Sequence, residues 1–117
     1  MPYSNFLIRG QYVEMRDNRV VDLVSLFDAA YRAKISCDRD YAPWLADAIS
    51  GWQKDCDLPP GCVIIRLDQW LNSLERVISF LQFIDEVEAR VLVKTPYDRA
   101  LVAEIGNLRD ACRKAAR

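Results

Sequence analysis

DQWLNSLERVISFLQFIDEVEARVL, residues 68–92, is the stretch that decides the fold. Trp70, Leu71, Leu74, Val77, Ile78, Leu81, Ile84, Val87 and Val91 recur at spacings of three and four, the signature of an amphipathic helix with a wide apolar face. Phe80 and Phe83 broaden that face, so the helix must touch more than one neighbour. Asp68 stands where an N-cap is needed, and Glu86 with Arg90 has the favourable i, i+4 order. At 1.5 Å per residue the stretch is a rod of roughly 36 Å, long enough to serve as the central helix.

The pattern continues downstream. Thr95-Pro96-Tyr97-Asp98 reads as a helix start, with Thr95 capping and Pro96 in the first turn. Leu101, Ile105, Leu108 and Cys112 then line one face. A short connection after Leu92 predicts an antiparallel helical hairpin, 68–92 with 96–114. Gly106 inside this pattern predicts the close approach of another helix.

Upstream, Val20, Val24, Phe27 and Tyr31 form a helical stripe capped by Asp17 or Asn18 and ending near Ser36. A second short helix runs from Asp40 or Tyr41 to Gln53, with Leu45, Ala48, Ile49 and Trp52 on one side. Leu58-Pro59-Pro60-Gly61 forces a loop. Residues 62–66 read as a short strand or a lead into the central helix, and the segment Phe6 to Met15 reads as strand or helix, because Phe6, Ile8, Gly10 and Tyr12 alternate while Ile8, Tyr12 and Met15 keep helical spacing. The expectation is a mostly α-helical domain, residues 1–117, a bundle of four or five helices. A small β element is placed near the N-terminus or at 62–66.

Composition narrows the function. The chain has 117 residues, 16 Lys and Arg against 17 Asp and Glu, four Cys and no His. Without His there is no Ser-His-Asp or Cys-His nucleophile and no His-containing zinc site. Cys37, Cys56, Cys62 and Cys112 form no C-x-x-C pair, so they read as small buried hydrophobes, with Cys56 and Cys62 flanking the loop where exposure is expected. The four glycines are too scattered for a phosphate-binding loop, and the Asp38-x-Asp40 start of a calcium loop is not completed. No metal or cofactor is implied. No apolar run reaches the roughly 18 residues of a membrane span, and no secretory signal opens the chain, so the expected compartment is the cytoplasm.

Charge distribution says more than net charge. Between residues 38 and 57, Asp38, Asp40, Asp47, Asp55 and Asp57 face only Arg39 and Lys54, and Tyr41, Trp44 and Trp52 lie among them. Aromatic anchors ringed by carboxylates suit the docking of a basic protein. Asp38, Asp40, Trp44, Asp47, Asp55 and Asp57 are therefore the candidate partner-binding residues, with Trp52 as a candidate core residue instead. At the other end Arg109, Arg113 and Arg117, with Lys114, draw a basic stripe, but a pI near 5.4 argues against nucleic acid.

The function these features favour is that of a small cytoplasmic protein-binding protein, not an enzyme. Its expected role is that of a bacterial immunity protein or antitoxin occluding a basic toxin such as a nuclease. A secretion chaperone for an effector shares this profile. A small enzyme or enzyme subunit using carboxylates or Cys56 and Cys62 is the further alternative. The long apolar helix also leaves room for a homodimer.

Overall fold

The computed structural model describes residues 3–58, 63–94 and 98–116. Two strands, β1 (Tyr3–Ile8) and β2 (Gln11–Arg16), lead into α1 (Asp17–Ile35) and α2 (Pro43–Asp55). A short strand, β3 (Ile64–Arg66), and a 3₁₀ turn (Leu67–Gln69) follow, and then α3 (Leu74–Lys94) and α4 (Arg99–Ala115). The protein is thus mostly helical, with a small three-stranded sheet.

Both ambiguous segments hold strands where they are described: β1 and β2 across Phe6 to Met15, and β3 over residues 64–66, with Cys62 outside the described residues. Ser4, Phe6 and Ile8 point inward on β1 while Tyr3, Asn5 and Leu7 point out, the period of two that decides against a helix. The loop Arg9-Gly10 closes the hairpin with positive φ at both residues, 45° and 78°, as a two-residue turn between twisted strands requires. Arg9 also donates from its guanidinium to the carbonyl of Ala115, fastening the hairpin tip to the end of α4. β3 joins β1 in parallel through the pairs Asn5↔Ile64, Phe6↔Ile65 and Leu7↔Arg66, giving the order β2-β1-β3.

One apolar cluster joins the sheet to the helices. Phe27 of α1 sits at its middle, its ring centroid 6.5 Å from Phe6, 6.0 Å from Trp52, 5.8 Å from Phe80 and 6.0 Å from Phe83. These edge-on and tilted contacts are the preferred aromatic geometry. The stripes read from the sequence supply this core: Val20, Val24, Phe27 and Tyr31; Leu45, Ala48, Ile49 and Trp52; Leu101, Ile105, Leu108 and Cys112 are all buried.

Helix starts are where the structure departs from expectation. Asp68 lies in the 3₁₀ turn and not at a cap. The following helix begins six residues later, where the backbone N–H of Arg76 donates to Ser73 Oγ at 3.3 Å. Trp70 and Leu71 pack from the turn, and Leu74 and Ile78 are left about half exposed. α1 begins at Asp17 with Arg16 in the cap position and no side-chain cap bond. α2 begins at Pro43, because Pro fixes the first-turn geometry, so Asp40 and Tyr41 stay in the preceding turn. The last helix is capped by Asp98, whose Oδ1 accepts from the N–H of Leu101 at 3.0 Å. The expected Thr95 cap and Pro96 first turn lie outside the described residues. At Gly106 an added Cβ would meet no atom of another helix within 4 Å, so close helix packing does not explain the glycine.

α3 and α4 pack together, and Arg109 fastens them with bonds to Asp85 at 3.1 Å and Glu88 at 3.0 Å. Glu86 turns the other way, to Lys34 of α1 at 2.8 Å, and not to Arg90. No helix among the described residues is long and apolar enough to cross a membrane.

Candidate functional site

The acidic and aromatic residues singled out in the sequence occupy α2 and the turns at its two ends. A helix buries one face, and α2 turns Leu45, Ala48, Ile49 and Trp52 inward. The opposite face carries Asp47, exposed, with Trp44 half-buried one turn before it. Asp38 and Asp40 are exposed in the turn entering α2, and Asp57 is exposed just past its end. Trp52 belongs to the core.

The entry to α2 is held in a strained backbone. Ala42 has φ 35° and ψ 68°, a left-handed conformation that a residue with a Cβ adopts only when its surroundings enforce it. Tyr31 enforces it here. Its hydroxyl donates to the carbonyl of Tyr41 at 2.9 Å and is 3.3 Å from that of Ala42. Burial, and secondarily the charge of Asp47, raises the Tyr31 pKa above 10, so the hydroxyl keeps its proton at physiological pH.

Trp44 is not bare. The guanidinium of Arg76 stacks over its ring at 5.0 Å and donates to the carbonyl of Trp70 at 3.1 Å. Beside this stack opens a cavity of about 410 Å³ lined by Tyr41, Trp44, Ser73, Glu75, Arg76 and Ser79. Tyr41 is paired similarly, with Lys34 Nζ 5.2 Å from its ring centroid. Burial raises the Tyr41 pKa, with Glu86 adding to the effect.

The six candidate residues do not form one continuous patch. From Asp47 to Asp55 the helix rises roughly 12 Å, which splits them into an entry group, Asp38, Asp40, Trp44 and Asp47, and an exit group, Asp55 and Asp57. In the exit group Asp55 is half-buried, and burial raises its carboxyl pKa against the opposing pull of Arg66. Arg66 and Arg76 both come from the segment after the Pro-rich loop. The sequence had no signal for their presence, because only the fold brings them to α2.

The remaining chemistry is structural. Cys112 is buried and its pKa is pushed up to about 12, so its thiol is inert; Cys37 is exposed and Cys56 half-buried. Cys62 lies outside the described residues. The basic stripe on the last helix is interrupted, since Arg109 is consumed by Asp85 and Glu88 with 14% of its side chain exposed. Arg113 stands 3.9 Å from Asp110, and Arg117 lies outside the described residues. Comparison with protein-family models, curated proteins and solved structures finds no match to the chain.

Proposed function

We propose that the protein binds a basic protein partner through the exposed side of α2, as a non-catalytic neutralising protein of the immunity or antitoxin kind. The observation that carries the reading is the entry group. Asp38 and Asp40 are exposed in the turn whose end the Tyr31 hydroxyl holds, and the helix that follows presents a half-buried Trp44 with an exposed Asp47 one turn beyond it. An aromatic anchor already fixed in place loses little entropy on binding, and carboxylates around it steer a cationic partner and orient its docking. A nuclease, whose active site expects phosphates, is the partner class that such carboxylates imitate.

Asp55 and Asp57 extend the same negative potential past the far end of α2. Their share is smaller, because Arg66 offsets Asp55.

The test is affinity capture from the native host's lysate with tagged protein at low and high salt. A single basic protein retained stoichiometrically, and lost when Trp44, Asp47, Asp55 and Asp57 are replaced together by Ala and Asn, supports the reading. Retention unchanged by those substitutions, or no retention at either salt, contradicts it.

A further inference from the structure

The sheet ends on an open edge. β2 is the outer strand of the order β2-β1-β3, and its six residues pair with β1 in unbroken register from Tyr3↔Arg16 to Ile8↔Gln11, with no Pro and no bulge. The two-residue turn makes Ile8↔Gln11 a hydrogen-bonded pair, and alternation along an antiparallel ladder does the same for Phe6↔Val13 and Ser4↔Met15. The backbone N–H and C=O of Tyr12 and Glu14 therefore point away from β1. Such an edge is a template for another strand. Beside it lies a groove of about 340 Å³, with Gln11 to Glu14 on one wall and Asn107, Asp110, Ala111 and Lys114 of α4 on the other.

We infer that this edge is the seam of a homodimer, in which β2 pairs antiparallel with β2 of a second copy. A two-fold axis through Val13, perpendicular to the sheet, sets Tyr12 of one protomer opposite Glu14 of its partner. This pairing joins their outward-pointing backbone groups into one six-stranded sheet. It covers a Tyr12 that is 63% exposed in the single chain.

The same axis leaves the helices of both protomers on one side of the sheet and runs the two α4 helices antiparallel across the groove. The charges on that wall are self-complementary. Asp110 and Lys114 are one turn apart, so reversal brings Asp110 of one protomer to Lys114 of its partner, twice per dimer. Ala111 between them is small enough to let the helices approach. The seam uses β2 and α4, not α2, and stands or falls independently of the partner-binding reading.

Sedimentation equilibrium of the full chain over a concentration series tests it. The wild type is expected at twice 13.5 kDa. Tyr12→Pro removes an outward N–H while leaving the β1–β2 bonds, and is expected to be monomeric. Lys114→Glu, which sets like charges together, is expected to weaken the dimer at least about tenfold, and the double exchange D110K/K114E to restore it. If Tyr12→Pro loses its circular-dichroism signature, the charge exchange alone decides. A wild type that stays monomeric throughout, or a dimer indifferent to Lys114→Glu, overturns the proposal.

Discussion

Arg76 of α3 lies over the ring of Trp44 at the start of α2, 5.0 Å from its centroid. The stack ties the candidate docking surface to the longest helix of the fold, so the anchor is positioned before any partner arrives. Arg76→Ala removes the stack together with the bond to the Trp70 carbonyl and is expected to cost about 1–2 kcal/mol of stability, of which a solvent-accessible cation–π contact supplies about 0.5–1. A urea denaturation series measures it, and no change in midpoint would show that the stack contributes nothing.

The strained Ala42 depends on Tyr31. Tyr31→Phe keeps the ring and removes only the donor to the carbonyls of Tyr41 and Ala42. The expected loss is about 1–2 kcal/mol, because the part-buried carbonyl of Tyr41 loses this donor while the strain at Ala42 remains, the Ala42 carbonyl still accepting from the N–H of Leu45. Hydrogen exchange should show the rise concentrated in residues 38–45. A uniform rise across the chain would place the role of Tyr31 in general packing.

What could be read from the sequence and what could not divide along physical lines. The helical stripes were legible because burial imposes a period: Val24, Phe27 and Tyr31, or Leu101, Ile105 and Leu108, can face one core only as helices. The segment Phe6 to Met15 was not, since Ile8, Tyr12 and Met15 fit a helix while Phe6, Ile8 and Gly10 fit a strand. Pairing with the distant β3 and a turn with two positive φ values settled it. Ser73 took the capping role expected of Asp68 because Trp70 and Leu71 gain burial in a turn before the helix begins. In the candidate site, the acidic residues of α2 were legible as local composition. Arg76 and Arg66, which temper that surface, come from elsewhere in the chain and are invisible to any local pattern.

Two carboxylates near Arg19 titrate in opposite senses. The N–H of Leu101, then Arg19 at 3.2 Å, holds Asp98 below its ordinary 3.8. Its stabilisation is complete above 3.8 and disappears as pH falls through the lower folded value. Burial raises Glu104 above its ordinary 4.5, and its Oε2 has no hydrogen-bond partner. Its ionisation therefore disfavours the fold increasingly as pH rises from 4.5 through the folded value, and not below it. Thermal unfolding against pH is the check. Asp98→Asn should lower Tm at neutral pH and converge on the wild type in acid. Glu104→Gln should raise Tm at neutral pH and lose that gain near 4.5.

The thiols should separate by burial. Cys112, with a pKa near 12, exists almost wholly as the thiol at neutral pH and is enclosed by the core. Iodoacetamide on the native protein is expected to label Cys37 and to spare Cys112 until denaturant is added. Mass spectrometry of the digest reads both sites, and rapid native labelling of Cys112 would mean that the face of α4 carrying it opens readily.

The association rate of the captured basic partner with purified protein, followed against ionic strength, tests partner binding through α2 most directly. The wild type should associate faster at low salt, with a steep salt dependence. A variant with Trp44→Ala, Asp47→Asn, Asp55→Asn and Asp57→Asn should lose that dependence and most of its affinity, with its Tm lowered by no more than the few degrees that loss of the Arg76 stack accounts for. If the variant binds as fast and as tightly as the wild type, or if it unfolds much earlier, the surface of α2 is not the docking site.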